Sequence, residues 1–288
     1  MNKALSNSSA ISTVSRSRFW IKVRSNPVGI GALVVLGLLY LLALLGPLFY
    51  RISPESTDPL GVLVGPGPVH WLGTDELGRD VLSRLLYGGR VSLSVGLLSM
   101  LVGLLIGTVV GGAAGYFRGL EALLMRLVDV FMAIPTFFLL LVIVTVFGNS
   151  PLTVIITVGI GFWAQMARVV YAEFVKYRGL EFVEAMQALG ASHLRIMVRH
   201  IFPQVLPQAI VLATLGVGWA ILNEAALSYL GLGIQPPLAS WGNMLQNAQV
   251  YLYSNPMLAV YPGLCIALTV LAFNTLGNAL RDILSPRG

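Results

Sequence analysis

Residues able to carry chemistry are few in this 288-residue chain, and they stand apart from one another. Glu224, in AILNEAALSYLGLG, is the one charged residue between Arg199 and Arg281. An ionisable group within an apolar segment is costly to hold there and is a functional candidate by default. About 20 residues beyond Pro203, at ~1.5 Å per residue, Glu224 falls near the outer end of a span. Two roles suit it: a charge facing water at the outer end of the span, or a helix-end carboxylate bonded to a neighbouring subunit. Asp75, Arg79, Asp80 and Arg84 form a second group in LGTDELGRDVLSRLLYGGR, where Asp80 and Arg84 are four apart and able to pair on a helix. His70, His193 and His200 are scattered, no cluster of carboxylates or cysteines joins them, and Cys265 is the single cysteine. No metal site or intramolecular disulfide is expected. The lysines are Lys3, Lys22 and Lys176, and none closes a GxxxxGK[ST] phosphate loop; HExxH, GxSxG and CxxC are also absent. No catalytic residue is assigned, and no cofactor is expected on this chain.

The longest charged amphipathic stretch runs from Glu181 to Pro203, EFVEAMQALGASHLRIMVRHIFP. It reads as two short helices. Phe182, Ala185, Met186 and Leu189 make one apolar face in the first, and Leu194, Met197, Val198 and Ile201 a stripe in the second. Gly190 is a helix stop, since glycine takes the left-handed conformation that closes a helix. Ser192 is placed to cap the second helix, and Pro203 ends the unit or begins the next helix. On periodicity alone this is an ordinary surface helix pair between spans.

The elements around these groups are membrane spans. The chain is 56% hydrophobic and 10% charged, against about a quarter charged in soluble proteins. Charge-free runs separate Arg24 from Arg51, Arg90 from Arg118, Asp129 from Arg168, and Glu224 from Arg281; a spanning helix needs roughly 20 apolar residues. The alternating strands of a β-barrel are lacking. The basic excess flanks spans instead of forming a patch, which argues against nucleic acid.

In order, residues 1–27 form a polar, then basic tail, and 28–50 an uncleaved first span. Residues 51–88 are an outside segment, extended over its prolines and helical from Gly73 to Arg90, lying at the interface. Five further spans occupy 89–280. The second is rich in glycine for close packing, and RGLEALLMR is a short inside turn. Gly148-Asn149-Ser150-Pro151 turns between spans three and four, and Pro135 is placed to kink the third. Residues 231–256 make an outside re-entrant or interfacial loop, and 281–288 an inside tail. With this topology fourteen of the eighteen Lys and Arg lie inside and four outside, so the positive-inside rule puts both termini and the 181–203 loop in the cytoplasm.

The Glu184-Ala185 pair, Gly190 six residues on and Pro203 thirteen after that resemble the EAA loop of binding-protein-dependent ABC importer permeases. Met186 stands where that family usually has Ala, and His200-Ile201-Phe202-Pro203 where it usually ends Ile-x-Leu-Pro. The series LGTD, GRD and SRL, with LSYLGLG, QPP, SWG and AFNTLGNALRD, is similar to the C-type permeases of dipeptide, oligopeptide and nickel importers. The resemblance implies an all-α, six-span, MetI-like (type I) permease with cytoplasmic termini, in a bacterial inner membrane. It implies that Glu184, Ala185, Gly190 and Pro203 dock an ATPase, that the partners are a B-type permease, two ATPase subunits holding ATP and Mg, an extracytoplasmic binding protein and lipid, and that transport is by alternating access. Glu224 is then a pathway candidate, and Asp75, Arg79, Asp80 and Arg84 are candidate contacts for the binding protein. Peptide is the expected substrate, with nickel or a metal chelate as the alternative. A secondary transporter is more distant, because the spans lack coupling residues apart from Glu224.

Overall fold

A computed structural model describes residues 26–284; the tail expected over the first 25 residues, and the last four, lie outside the described residues. Those residues are helical throughout apart from loops, with an isolated bridge between Thr74 and Asp80. Among the described residues five helices are long and apolar enough to cross a membrane: α1 (Pro27–Phe49), α2 (Val81–Tyr116), α5 (Pro151–Arg178), α7 (His193–Tyr229) and α9 (Met257–Leu284). A sixth span exists only as a bent pair, α3 (Arg118–Ala133) and α4 (Thr136–Phe147), whose axes meet at 89°. The short helices α6 (Glu181–Ala188) and α8 (Trp241–Ala248) complete the set.

Local chemistry explains the boundaries. The Asn26 side chain accepts from Gly29 N–H at 2.9 Å, with Pro27 at the first helical position of α1, where its missing N–H costs nothing. Asp80 caps α2 by accepting from Ser83 N–H at 2.7 Å. Ser150 caps α5, and Gly148 turns the chain ahead of it at φ +87°. The α3–α4 bend follows from Pro135, which disfavours helical geometry at Ile134; Ile134 is extended, with ψ 126°. With 12 residues, α4 is about 18 Å long and cannot cross a ~30 Å hydrocarbon layer.

Three local expectations are corrected. RGLEALLMR is the first half of α3, not a turn. Residues 73–80 are loop, and the outside helix from Val81 is the beginning of α2, which continues for 36 residues to Tyr116. Gly88 and Gly89 do not break it, because they admit neighbours: a Cβ at Gly88 would stand 3.3 Å from the Ser240 backbone, and one at Gly89 3.1 Å from the Trp241 ring. The 231–256 segment is folded, with α8 at its centre and Trp241, Gly242, Asn243 and Met244 buried.

The core is the α2–α5 pair. Gly103, Gly107, Gly111 and Gly115, four apart, lie along one α2 face. A Cβ at Gly107 would come 2.5 Å from Met166 Cβ, and one at Gly103 would be 3.1 Å from Gly159 O. Gly111 and Gly115 face the Ala167 carbonyl and Phe174 Cβ just as closely. Small residues at this spacing let backbones approach in lipid, where packing rather than the hydrophobic effect drives association. α7 packs against α2, α5 and α9, and α1 against α2 and α9.

Candidate functional site

The loop between α5 and α7 is built to present a surface. Three bonds close α6: Leu189 N–H to Ala185 O, Gly190 N–H to Gln187 O at 2.9 Å, and Ala191 N–H to Met186 O at 3.0 Å. The last two are the paired bonds of a Schellman turn, which needs a left-handed residue between them; Gly190 supplies it at φ +76°. Val183 is the buried anchor of α6. Phe182 and Leu189, of the apolar face of this helix, are exposed, and so are Glu184, Ala185 and Gly190.

The second half differs more from expectation. His193 to Tyr229 is one continuous helix with a π-helical turn at Ile196–Ile201. The π register hydrogen-bonds five residues apart, and Ile196 and Ile201, five apart, are the two fully buried side chains here. Leu194 and Val198, which a 3.6-residue period places in the stripe, are 70% and 58% exposed. Ser192 occupies the cap position without a side-chain cap bond, and Pro203 lies exposed in the first turn of the continuing helix. The surface thus combines Glu184 with apolar Phe182, Leu189, Leu194 and Val198. Beside it a polar cavity of about 500 Å³ is lined by Tyr116, Arg118, Arg178, Glu184 and His193. There Tyr116 Oη lies 2.9 Å from His193 Nδ1, tying the end of α2 to the start of α7.

At the opposite end, Asp75, Arg79, Asp80 and Arg84 are 1–6% exposed. Asp75 Oδ1 accepts from the Leu77 and Arg79 N–H groups at 2.9 Å, and Oδ2 from Arg79 Nε at 2.7 Å. Arg79 Nη2 reaches Glu76 at 2.6 Å. Arg84 pairs with Asp75 at 3.4 Å, not with Asp80 as the spacing suggests. Asp80 is occupied by the helix cap, by Tyr50 Oη at 2.8 Å and by His70 Nδ1 at 2.8 Å. These groups hold the 51–80 loop over the bundle. Buried as they are, they do not form its outer surface, which exposed Leu60 and Val69 do.

Glu224 has no exposed surface, and the expectation that it stands at the mouth of a pathway is not met in this conformation. Nor does it await a neighbouring subunit: its oxygens are bonded within the chain. Ser228 Oγ donates to Oε1 at 2.8 Å, and Ser92 Oγ to Oε2 at 2.9 Å. The two serines in turn accept from Ile234 N–H at 2.9 Å and Trp241 N–H at 3.2 Å. Ser240 and Asn243 cap α8 reciprocally, and Trp241 Nε1 donates to Leu85 O at 3.1 Å. Ser228 is legible beforehand, four residues along the same face as Glu224, and Ser240 with Asn243 as a capping pair. Ser92, 132 residues distant in sequence, has no local signal.

Residues 103–287 match the family described as the binding-protein-dependent transport system inner membrane component, and residues 16–66 match the N-terminal TM domain of oligopeptide transport permease C. The chain belongs to the binding-protein-dependent inner membrane component family. Among its relatives are the nickel transport system permease protein NikC of Escherichia coli K12, 41% identical over 88% of this chain and 92% of the relative, and the dipeptide permease DppC of Alkalihalophilus pseudofirmus, 38% identical over 92% and 88%. The oligopeptide permease OppC of Bacillus subtilis is 35% identical over 93% and 88%. The solved methionine ABC transporter MetNI, inward facing, superposes with a TM-score of 0.57 at 19% identity over 69% of this chain and 96% of that one, a likeness of fold.

This protein is therefore a multi-pass inner-membrane permease component of an ABC importer, of OppC type, and not itself an enzyme. Membership in a binding-protein-dependent system implies an ATPase, a binding protein and a partner permease.

Proposed function

We propose that this permease is the C-type subunit of a peptide importer, paired with a different, B-type permease and driven by two ATPase subunits, with its docking loop and both termini in the cytoplasm. The observation that carries this reading is the loop itself: a Schellman turn at Gly190 displays Glu184, Ala185, Leu189 and Leu194 as a mixed polar and apolar surface. Exposed apolar side chains rimmed by polar groups suit a docking surface. One docking loop serves one ATPase groove, so two grooves call for a second permease. ATP and Mg belong to the ATPase subunits.

The charge pattern supports the orientation. Arg118, Arg126, Arg168, Lys176, Arg178, Arg195, Arg199 and Arg281 belong to the docking-loop end among the described residues, against Arg51, Arg79, Arg84 and Arg90 at the other, as the positive-inside rule requires. The 51–80 loop then faces outward, and we assign it the contact with the binding protein, made through its exposed surface with the buried Asp75, Arg79, Asp80 and Arg84 as framework.

Peptide is favoured by the dipeptide and oligopeptide relatives; nickel or its chelate is the second reading, favoured by the 41% identical nickel permease. The test is uptake into proteoliposomes holding the full complex, using radiolabelled dialanine and radioactive nickel(II) as probes. ATP-dependent dialanine uptake is expected. Nickel uptake alone would replace the first reading with the second, and ATP-independent uptake of either probe would overturn the importer reading.

A further inference from the structure

The Glu224 network joins three elements at the outer end of the bundle: α2 through Ser92, α7 through Glu224 and Ser228, and the 231–251 segment through Ile234 and Trp241. Its directions follow with Glu224 as the carboxylate, which only accepts. Each serine hydroxyl accepts from a backbone N–H, so its own hydrogen is free to donate, and in both cases the acceptor is a Glu224 oxygen. A hydroxyl has one hydrogen to give, and both are committed to one carboxylate. Glutamine has the same shape but presents one oxygen and one NH2. It leaves one of the two serine hydrogens facing a donor.

The surrounding packing makes the segment one body with the helix ends. A Cβ at Gly242 would lie 2.7 Å from Ala225 Cα of α7, and the Gly88 and Gly89 positions admit the Ser240 backbone and Trp241 ring against α2. The other end of α7 is the docking loop. From His193 to Glu224 the helix is continuous, about 45 Å at ~1.5 Å per residue.

We propose that Glu224 is a positioning residue that clamps the 231–251 segment to α7, so that α7 carries movement of the docking loop to the outer face as movement of that segment. The inference rests on the importer reading for the source of the movement, and on the hydrogen bonds above for its delivery. Glu224 touches no substrate in this scheme.

The test uses the whole complex with its partner permease and ATPase subunits, Cys265 replaced by alanine, and spin labels on Val250→Cys and Phe49→Cys, which are 80% and 84% exposed. With Glu224 intact, the label distance is narrowly distributed and shifts when ADP-vanadate traps the ATPases. In Glu224→Gln the distribution broadens and no longer follows trapping. Basal ATP hydrolysis stays within about twofold while uptake falls about tenfold or more, the range of an unsatisfied buried donor. Ser92→Ala, which removes one donor and the Trp241 N–H acceptor, gives the same result in milder form and serves if the first variant does not assemble. A Glu224→Gln complex whose distance shifts like the parent's overturns the clamp, as does a parent complex whose distance ignores trapping. Absence of ATPase assembly on the parent complex would instead count against the importer reading.

Discussion

Replacing Gly190 separates backbone geometry from contact surface, because its surroundings are open. Nothing lies within 4 Å of a Cβ built there, so no substitution clashes, yet φ is +76°. An L-residue held left-handed costs roughly 1–2 kcal/mol, and a β-branched one more, about 2–3 kcal/mol. Asparagine tolerates the conformation and costs little. If the ATPase binds only the loop with its turn closed, each ~1.4 kcal/mol lowers apparent ATPase affinity about tenfold. Gly190→Ala should then weaken it about 5- to 30-fold, Gly190→Val by roughly a hundredfold, and Gly190→Asn by only a few-fold. The assay titrates purified ATPase onto proteoliposomes containing the permease pair and reads ATP-driven uptake, with membrane insertion checked by blotting. Wild-type behaviour of the Val variant would refute the reasoning. Equal damage from Asn and Val would also refute it, since any added side chain would then be acting on the docking surface itself.

Gly107→Val drives methyl groups into Met166 Cβ and the Trp163 carbonyl, 2.5 and 2.7 Å from the first added carbon; overpacking of this kind costs about 1–3 kcal/mol or more, and detergent-extracted permease should lose yield and melt lower. With Cys265 replaced, cysteines at Ser192 and Ser56, both exposed, should label from opposite sides of the membrane. Labelling of the Ser192 position by an impermeant reagent in intact cells would invert the orientation. Asp75→Asn removes the carboxylate partner of Arg84 and one of the two on Arg79, which keeps Glu76, and should cost about 3 kcal/mol, the penalty for an uncompensated buried charge at Arg84; faster proteolysis of the 51–80 loop in outward-facing vesicles is the readout, and unchanged proteolysis would count against a framework role.

The apolar runs make the helical class and most spans legible, since length and charge exclusion are properties of contiguous sequence. The α3–α4 bend is half legible: Pro135 announces a kink, but its 89° angle depends on where the two halves pack. The docking loop is legible in its turn and not in its faces. Gly190 acts within five residues of itself, so its bonds follow from the local order. The apolar stripe of the second helix does not, because a 3.6-residue period fails where the chain passes through a π turn at Ile196–Ile201. There the spacing of buried side chains changes, and Leu194 and Val198 emerge where a regular helix would bury them.

The two charged groups show a sharper limit. The rule that an ionisable residue within a span faces protein or water leaves open which of the two Glu224 meets. Water makes it a pathway charge, protein makes it a joint, and the choice rests on Ser92 and Trp241, each brought in by folding over long sequence distances. The same holds for Arg84: helical spacing offers Asp80, but Asp80 is already committed to a helix cap, Tyr50 and His70. The guanidinium turns to Asp75 instead. In both places the partner is decided by which hydrogen-bonding capacity has been used up elsewhere. Glu224 holds the outer segment for this reason: each serine accepts a backbone N–H of that segment, and the carboxylate accepts the one hydrogen that each has to give.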